Sequence, residues 1–299
     1  MITGAKYNML YPPLMERIYK EETHKGGRDA VKATKTRLHQ MFGAYVQGNA
    51  HKKAAALLQE LEAGGDAQAI SRGIMGLHAS TKERLPHLGD FLAFICKQVG
   101  KVETVLDLGG GFNPFSVPFW QECFYETSSE MVGRLDDCEN ALESGSALSQ
   151  ISKLMGESED THVGHSCTRS IAAYYAYDID VRTRDLLNRF FAYLNLPQTA
   201  ACADLAVETP TEKVDLALMC KLVPVLEAQL PGRGFELARE TNAKFLAITY
   251  PLKSLGGREK GMGKNYAAQF ENACASGLLG DYKLIANAEV GSELVYLLG

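Results

Sequence analysis

The stretch Val105–Phe115, VLDLGGGFNPF, decides how this chain is read. A short apolar run ends in Asp107 and passes into Gly109, Gly110 and Gly111. Glycine adopts positive φ at no steric cost and lets a ligand approach the backbone closely. A turn of this kind at the carboxyl end of a first strand is where open α/β sheets bind nucleotides. The dinucleotide fingerprint needs Gly-x-Gly-x-x-Gly, but its last position here is Pro114, preceded by Asn113. A helix opened by proline points away from tight pyrophosphate packing. An ordinary strand-turn is the alternative reading.

Outward from this turn, short apolar runs alternate with helical stretches. Strands are predicted at 102–108, 174–178, 199–204, 214–219, 244–250, 281–286 and 293–298, and helices near 114–121, 181–194, 222–242 and 263–276. Such alternation implies a mostly parallel sheet covered on both faces. The last two runs, YKLIANA and ELVYLLG, are separated by no helix and should pair antiparallel. Seven strands ending in a hairpin suit a class I, Rossmann-like methyltransferase sheet better than a six-strand dehydrogenase sheet. The form Asp-x-Gly-x-Gly is likewise the one usual for S-adenosyl-L-methionine. That cofactor has no phosphate, and its amino-acid end calls for carbonyls, amides and a carboxylate.

Upstream, residues 1 to about 90 read as helical. Pro12 and Pro13 suit a helix start, Ala30–Val46 has helical apolar spacing, and His51–Ala63 ends at Gly64-Gly65. Ser80 and Glu83 form a capping-box pattern, and Pro86 should kink or restart the helix before FLAFICKQV. The expected domains are 1–88, helical, and 89–299, the α/β sheet, with 121–170 as an acidic insertion.

Composition bounds the function classes. The chain has 299 residues, 46% hydrophobic and 22% charged, which excludes collagen-like, coiled-coil and wholly disordered classes. It contains no apolar run of 18 residues, hence no expected membrane helix. Seven cysteines without a Cys-x-x-Cys fit a reducing cytoplasm better than a disulfide framework. The net charge of −5 hides a polarity. Residues 121–170 hold ten acidic and three basic residues, while Lys20–Lys53 holds eight Lys/Arg against three acidic residues. A basic face attracts polyphosphates. A merely solvated helix face is the alternative.

A nucleoside site needs a carboxylate for the ribose hydroxyls, about 20 residues past the glycine turn. Asp178 falls near that spacing once the insertion is subtracted. Asp180 competes, because it could equally cap the following helix. Asp204 ends the next strand and is placed to meet an adenine amine, or to be a loop carboxylate. His162, His165 and Cys167 lie close together, but without a paired Cys-x-x-Cys no metal site is expected.

The segments TRLHQMFGAYV (36–46), LHASTKERL (77–85), VLDLGGGFNP (105–114), AYDID (176–180), LALMCKLVPVLE (216–227), YPLKSLGGREKGMGKNYAAQFE (250–271) and GSELVYLL (291–298) resemble the aminoglycoside-resistance 16S rRNA (guanine(1405)-N(7))-methyltransferases. The resemblance runs in order through nearly the whole chain. It implies that Arg84 holds the cofactor carboxylate, with His78 near the same pocket; an ion pair of Arg84 with Glu83 or a sheet carboxylate is the alternative. It implies that Gly109 and Gly111 line the methionine end, that Asp178 and Ile179 meet the ribose, and that Asp204 and Leu205 meet the adenine. Lys221 would face the reaction pocket, and Glu227 would brace its floor or simply lie on the helix surface. Arg258, Met262 and Asn265 would meet a flipped guanine. Lys20, Lys35, Arg37, Lys52 and Lys53 would grip RNA backbone.

The implied activity is N7 methylation of a decoding-site guanine of 16S rRNA by a cytoplasmic monomer acting on the assembled 30S subunit, with aminoglycoside resistance as the consequence. The family pattern is expected to lack the acidic insertion, which would fold over the N-terminal helices and gate docking. The rival readings are the same fold acting on another RNA, a protein or a small molecule, and a non-catalytic ribosome-binding homologue.

Overall fold

Alternate residues of nearly every strand are buried on opposite faces, so the sheet must be covered on both sides. In the computed structural model, which describes residues 7, 9–26, 29–43, 45, 48–120, 171–253 and 261–299, it is. Strand β1 (Thr104–Leu108) sends Val105 into one hydrophobic cluster and Leu106 and Leu108 into the other. Strand β4 (Val214–Cys220) splits the same way, with Leu216, Leu218 and Cys220 on one side and Ala217 and Met219 on the other. The period of two therefore coexists with continuous hydrophobicity, as expected of a doubly covered parallel sheet.

The seven strands lie in the order β3-β2-β1-β4-β5-β7-β6. Strands β2 (Ala173–Asp178), β3 (Ala200–Cys202), β4 and β5 (Ala243–Pro251) run parallel to β1. Strand β7 (Glu293–Leu298) enters antiparallel between β5 and β6 (Leu284–Val290). The predicted terminal hairpin is present, although β6 begins three residues later than expected. The order reverses direction between β1 and β4, and the carboxyl ends of β1, β2 and β4 open a crevice there.

The N-terminal helices are α1 (Pro12–His24), α2 (Ala30–Leu38), α3 (Ala50–Glu62), α4 (Ala67–Met75), α5 (Ala79–Arg84) and α6 (Leu88–Val99). Asp29 and Asp66 cap α2 and α4 by accepting from Lys32 N and Ala69 N. Helix α4 was not anticipated; its Asp66 cap was the available signal. Helix α2 runs into a π-helical turn, His39–Gly43, which carries Met41 and Phe42 toward the crevice. Leu10, Leu14, Ile18, Leu38 and Phe42 form a small core of their own. By contrast, Ala54, Leu58, Ile70 and Ile74 of α3 and α4 belong to the same cluster as Phe115, Tyr174 and Phe190 under the sheet.

Further helices among the described residues are α7 (Val181–Tyr193), α8 (Val223–Glu227), α9 (Arg233–Glu240) and α10 (Met262–Ala275), and residues 117–120 are helical as well. Two local expectations are corrected. The helix predicted over 222–242 is broken, because Pro231 and Gly232 (φ +88°) interrupt it. The Ser80–Glu83 capping box does not form. His78 occupies the N-cap without a side-chain cap, and Glu83 instead bonds the Lys221 ammonium at 2.7 Å. The segment 121–170, with His162, His165 and Cys167, lies outside the described residues, as does Arg258.

Phe190 is fully buried, its ring 4.8 Å from that of Phe115. Replacing Phe190 with alanine should cost about 3–5 kcal/mol of stability, read as a lowered urea midpoint.

Candidate active site

Glycine is required in the β1 turn for reasons visible on every side of it. Gly109 and Gly111 have φ of +67° and +53°. A Cβ on Gly109 would lie 2.8 Å from Leu222, one on Gly110 2.5 Å from the Asp107 carboxyl, and one on Gly111 2.7 Å from His78 Nε2. The turn is thus wedged between Asp107 behind, Leu222 on one side and His78 on the other. It forms the floor of a cavity of about 940 Å³, counting its open mouth.

The walls come from both halves of the sequence. His78, Arg84, Gly109, Gly111, Asp178, Ile179, Asp204, Leu205 and Lys221, singled out from the sequence, all line this cavity. Met41, Phe42 and Tyr45 close it from the N-terminal side. The ambiguity between Asp178 and Asp180 is resolved by geometry. Asp180 is fully buried, caps α7 by accepting from Arg182 N at 2.9 Å, and lies 3.3 Å from His51. Asp178 is on the cavity wall, where it accepts from Gly111 N at 3.0 Å and Asp180 N at 2.8 Å. Burial pushes its carboxyl up to about 6 despite those backbone donors.

The cations of the wall are neutralised by carboxylates. Arg84 is buried beneath the sheet edge, with Nε and Nη2 donating to Glu293 at 3.0 and 2.7 Å and Nη1 donating to Asn113 at 2.6 Å. The open alternative for Arg84, a sheet carboxylate, is therefore realised as Glu293, and the guanidinium still lines the cavity. Lys221 Nζ bonds Glu83 at 2.7 Å and lies 3.5 Å from Glu293. Its backbone is left-handed at φ +57°, a conformation a non-glycine residue adopts only when its surroundings hold it there. Thr249 does so, accepting the Lys221 amide on both its carbonyl and its hydroxyl. Burial works against the Glu293 charge, but Arg84 and Lys221 outweigh it and hold the carboxyl below the usual range.

Glu293 has no role in the sequence reading, because an acidic residue heading an apolar strand does not point to a partner 209 residues away. Arg17 was missed as well. It bonds both Asp204 oxygens, at 2.5 and 3.0 Å. So was Arg233, whose buried guanidinium donates to Leu205 O at 3.0 Å and fixes the loop after β3. Glu227 accepts from Gly232 N and Gly234 N, so it braces the α8–α9 turn.

The donor set suits a polar ligand without phosphate. Arg17, Arg84 and Lys221 are each already paired with carboxylates. Several buried side-chain atoms among the described residues have no hydrogen-bond partner, including His78 Nδ1 on the cavity wall and Asp107 Oδ1 behind the glycine turn. Burial lowers His78 to about 4, so its imidazole is neutral at physiological pH. Asp107 accepts from Asn113 and Tyr174 on its other oxygen.

A second groove adjoins the cavity and shares Met41, Tyr45, Lys221, Val225 and Gln229 with it. Its far wall is Pro251, Lys253, Met262 and Tyr266. Met262 therefore lines the same groove as Lys221, whereas Asn265 lies exposed on α10 and lines neither space. Lys20, Lys52 and Lys53 are exposed, Lys35 is partly so, and Lys20 pairs with Glu16. Arg37 is half-buried and bonds Glu21 and Glu22.

Replacing Glu293 with glutamine would leave two buried cations short of a counter-charge. The expected loss is about 3–5 kcal/mol in urea unfolding at neutral pH, larger than for glutamate-to-glutamine changes on the surface.

Comparison with known proteins gives a consistent result. The family model "Ribosomal RNA methyltransferase (FmrO)" matches residues 3–136 and 158–297. Within the expected insertion, the match takes in 121–136 and 158–170 and leaves 137–157 unmatched. A Serratia marcescens 16S rRNA (guanine(1405)-N(7))-methyltransferase is 32% identical, covering 100% of this chain and 95% of its own length. The enzyme of the same name from Micromonospora rosea is 31% identical, with 90% and 82% covered. The crystal structure of the 16S rRNA methyltransferase RmtF with S-adenosyl-L-homocysteine superposes with a TM-score of 0.71 at 30% identity, covering 97% of this chain and 92% of that one. The 16S rRNA methylase RmtB gives 0.69 at 28% identity, with 99% and 93% covered. Fold, glycine turn and family model agree: this chain belongs to the FmrO family of ribosomal RNA methyltransferases.

Proposed function

We propose that this chain transfers a methyl group from S-adenosyl-L-methionine to N7 of the decoding-site guanine of 16S rRNA, presented by the assembled 30S subunit. The observation that carries the reading is the continuity of two spaces. The cavity over the glycine turn joins, through Tyr45 and Lys221, a second groove lined by Met262 and Tyr266. One space fits the donor, and the other fits a planar base swung out of its helix, an extrusion that costs a few kcal/mol.

The residues fit this donor. Asp178 would accept from the ribose hydroxyls, and Asp204 with Leu205 would border the adenine. Gly109, Gly111, His78 and Arg84 would surround the amino-acid end. When bound, the donor supplies an electrophilic methyl on a sulfonium sulfur. Guanine N7 carries a lone pair and no proton at neutral pH, so the protein needs no general base. Its work is to bind, orient and exclude water, which for well-aligned reactants is worth roughly 7–11 kcal/mol. Positive charge passes to the purine, and unpaired cations nearby would oppose that. The pairing of Lys221 with Glu83 and Glu293 removes this penalty, and makes Lys221 a positioning group.

On this reading residues 1–88 form the RNA-docking region and 89–299 the catalytic one, and the enzyme works as a cytoplasmic monomer. Lys20, Lys35, Arg37, Lys52 and Lys53 would meet backbone phosphates, while Arg258, Met262 and Asn265 would meet the target nucleotide. A methyl and a positive charge in the drug site would repel cationic aminoglycosides. Bacteria expressing the chain should become resistant, and Asp178→Ala and Arg258→Ala should abolish the effect. After borohydride reduction and aniline cleavage of their 16S rRNA at 7-methylguanosine, primer extension should stop at the decoding guanine only with the active chain; a stop elsewhere, or none, would overturn the proposal.

The ribose contact also sets a pH dependence. Only ionised Asp178 accepts from both hydroxyls, and its carboxyl titrates at about 6. Affinity for S-adenosyl-L-homocysteine should be level above pH 7 and fall about tenfold by pH 5. Asp178→Asn should bind weakly at every pH, without that slope.

A further inference from the structure

Helix α1 is tied to the nucleoside side of the cavity at two points. Just before it, Tyr11 N donates to Ile179 O at 2.8 Å and Val181 N donates to Met9 O at 2.9 Å, an antiparallel bridge onto the residues that follow Asp178. One and a half turns into the helix, Arg17 forks onto Asp204, with Nε on Oδ2 at 2.5 Å and Nη2 on Oδ1 at 3.0 Å. The ends of β2 and β3 are thus spanned by a single helix from the far end of the sequence.

The fork is itself held. Arg17 Nη1 bonds Glu21 at 2.7 Å, and Nη2 also reaches Gln229 at 3.2 Å. Glu21 is anchored in turn by Arg37 at 2.5 Å. A bidentate guanidinium fixes the plane of a carboxylate as well as its charge. Among the described residues, Asp204 Oδ1 accepts from Arg17 and from Ala206 N at 3.3 Å, whereas Oδ2 accepts from Arg17 alone and keeps a lone pair for another donor. Asp204 lines the cavity with its side chain almost wholly buried, so the remaining acceptor serves a ligand rather than solvent.

We propose that Arg17 is a positioning residue for recognition of the donor's base: it holds Asp204 so that its free lone pair accepts from an exocyclic amine, which makes the N-terminal helix part of the methyl-donor site and not solely a docking element for RNA. The inference rests on the donor reading above. A site built around an oriented acceptor favours a 6-amino purine over a 6-oxo purine, which turns an acceptor toward it and leaves Asp204 facing like charge.

The test compares S-adenosyl-L-homocysteine with S-inosyl-L-homocysteine by titration calorimetry, on the full chain and its variants. The unmodified chain should bind the adenosyl compound at least tenfold more tightly. Arg17→Met should lose most of that preference by weakening the adenosyl compound about tenfold while changing the inosyl compound less than twofold. Arg17→Lys, which keeps the charge but not the fork, should recover only part of it. Equal weakening of both compounds in Arg17→Met would reduce Arg17 to a structural tie and overturn the inference, as would no change in either. If Arg17→Met does not fold, full preference in Arg17→Lys would overturn it equally. Asp204→Asn with unaltered preference would also overturn it, while leaving methyl transfer standing. Failure of the unmodified chain to bind either compound would remove the donor reading and this inference together.

Discussion

The buried pair of Arg84 and Glu293 is the constraint on which the site depends. Two full charges are held almost out of water, where each costs several kcal/mol to desolvate unless matched. The match is close: two hydrogen bonds join guanidinium and carboxylate, a third carries Arg84 to Asn113, and Thr249 donates to Glu293 at 2.7 Å. Through these bonds α5, the glycine turn after β1, and strands β5 and β7 are locked at one point. Lys221 Nζ lies 3.5 Å from the same carboxylate, and Thr249, which bonds Glu293, also holds the Lys221 amide and with it the left-handed backbone.

The arrangement accounts for a site that carries charge without presenting any in excess. Arg84 and Lys221 both line the cavity and share Glu293, so each is spoken for by a carboxylate. What remains for a ligand is mostly neutral imidazole, backbone and carboxylate oxygens. A phosphate would find little to hold it, whereas on the proposed reading a sulfonium compound would meet Asp178 at its ribose, Asp204 at its purine, and His78 and Arg84 at its amino-acid end. The sheet explains the location: the carboxyl ends of β1, β2 and β4 diverge where the strand order reverses, and only there does the backbone leave room.

Much of this was legible in the sequence because it is local. The glycine turn announces itself in seven consecutive letters, Asp107 through Asn113, and the terminal hairpin by the lack of any helix between its strands. Asp178 could be located by counting from the turn, but only geometry could separate it from Asp180, since either residue can cap a helix. Glu293 and Arg17 were not legible. Their partners lie 209 and 187 residues away in the chain, and an acidic residue at a strand start or an arginine on an amphipathic helix has many ordinary explanations. The break at Pro231-Gly232 was readable in principle, but the apolar spacing on either side of it favoured a continuous helix.

The central claim is that the glycine-floored cavity delivers a methyl group to one ring nitrogen of one guanine. It is tested most directly by incubating purified 30S subunits with the chain and donor labelled in the methyl group, then digesting the 16S rRNA to nucleosides for mass spectrometry. The label should appear as 7-methylguanosine alone, at about one per subunit. Label on another base or another ring position, or none despite bound donor, would contradict it.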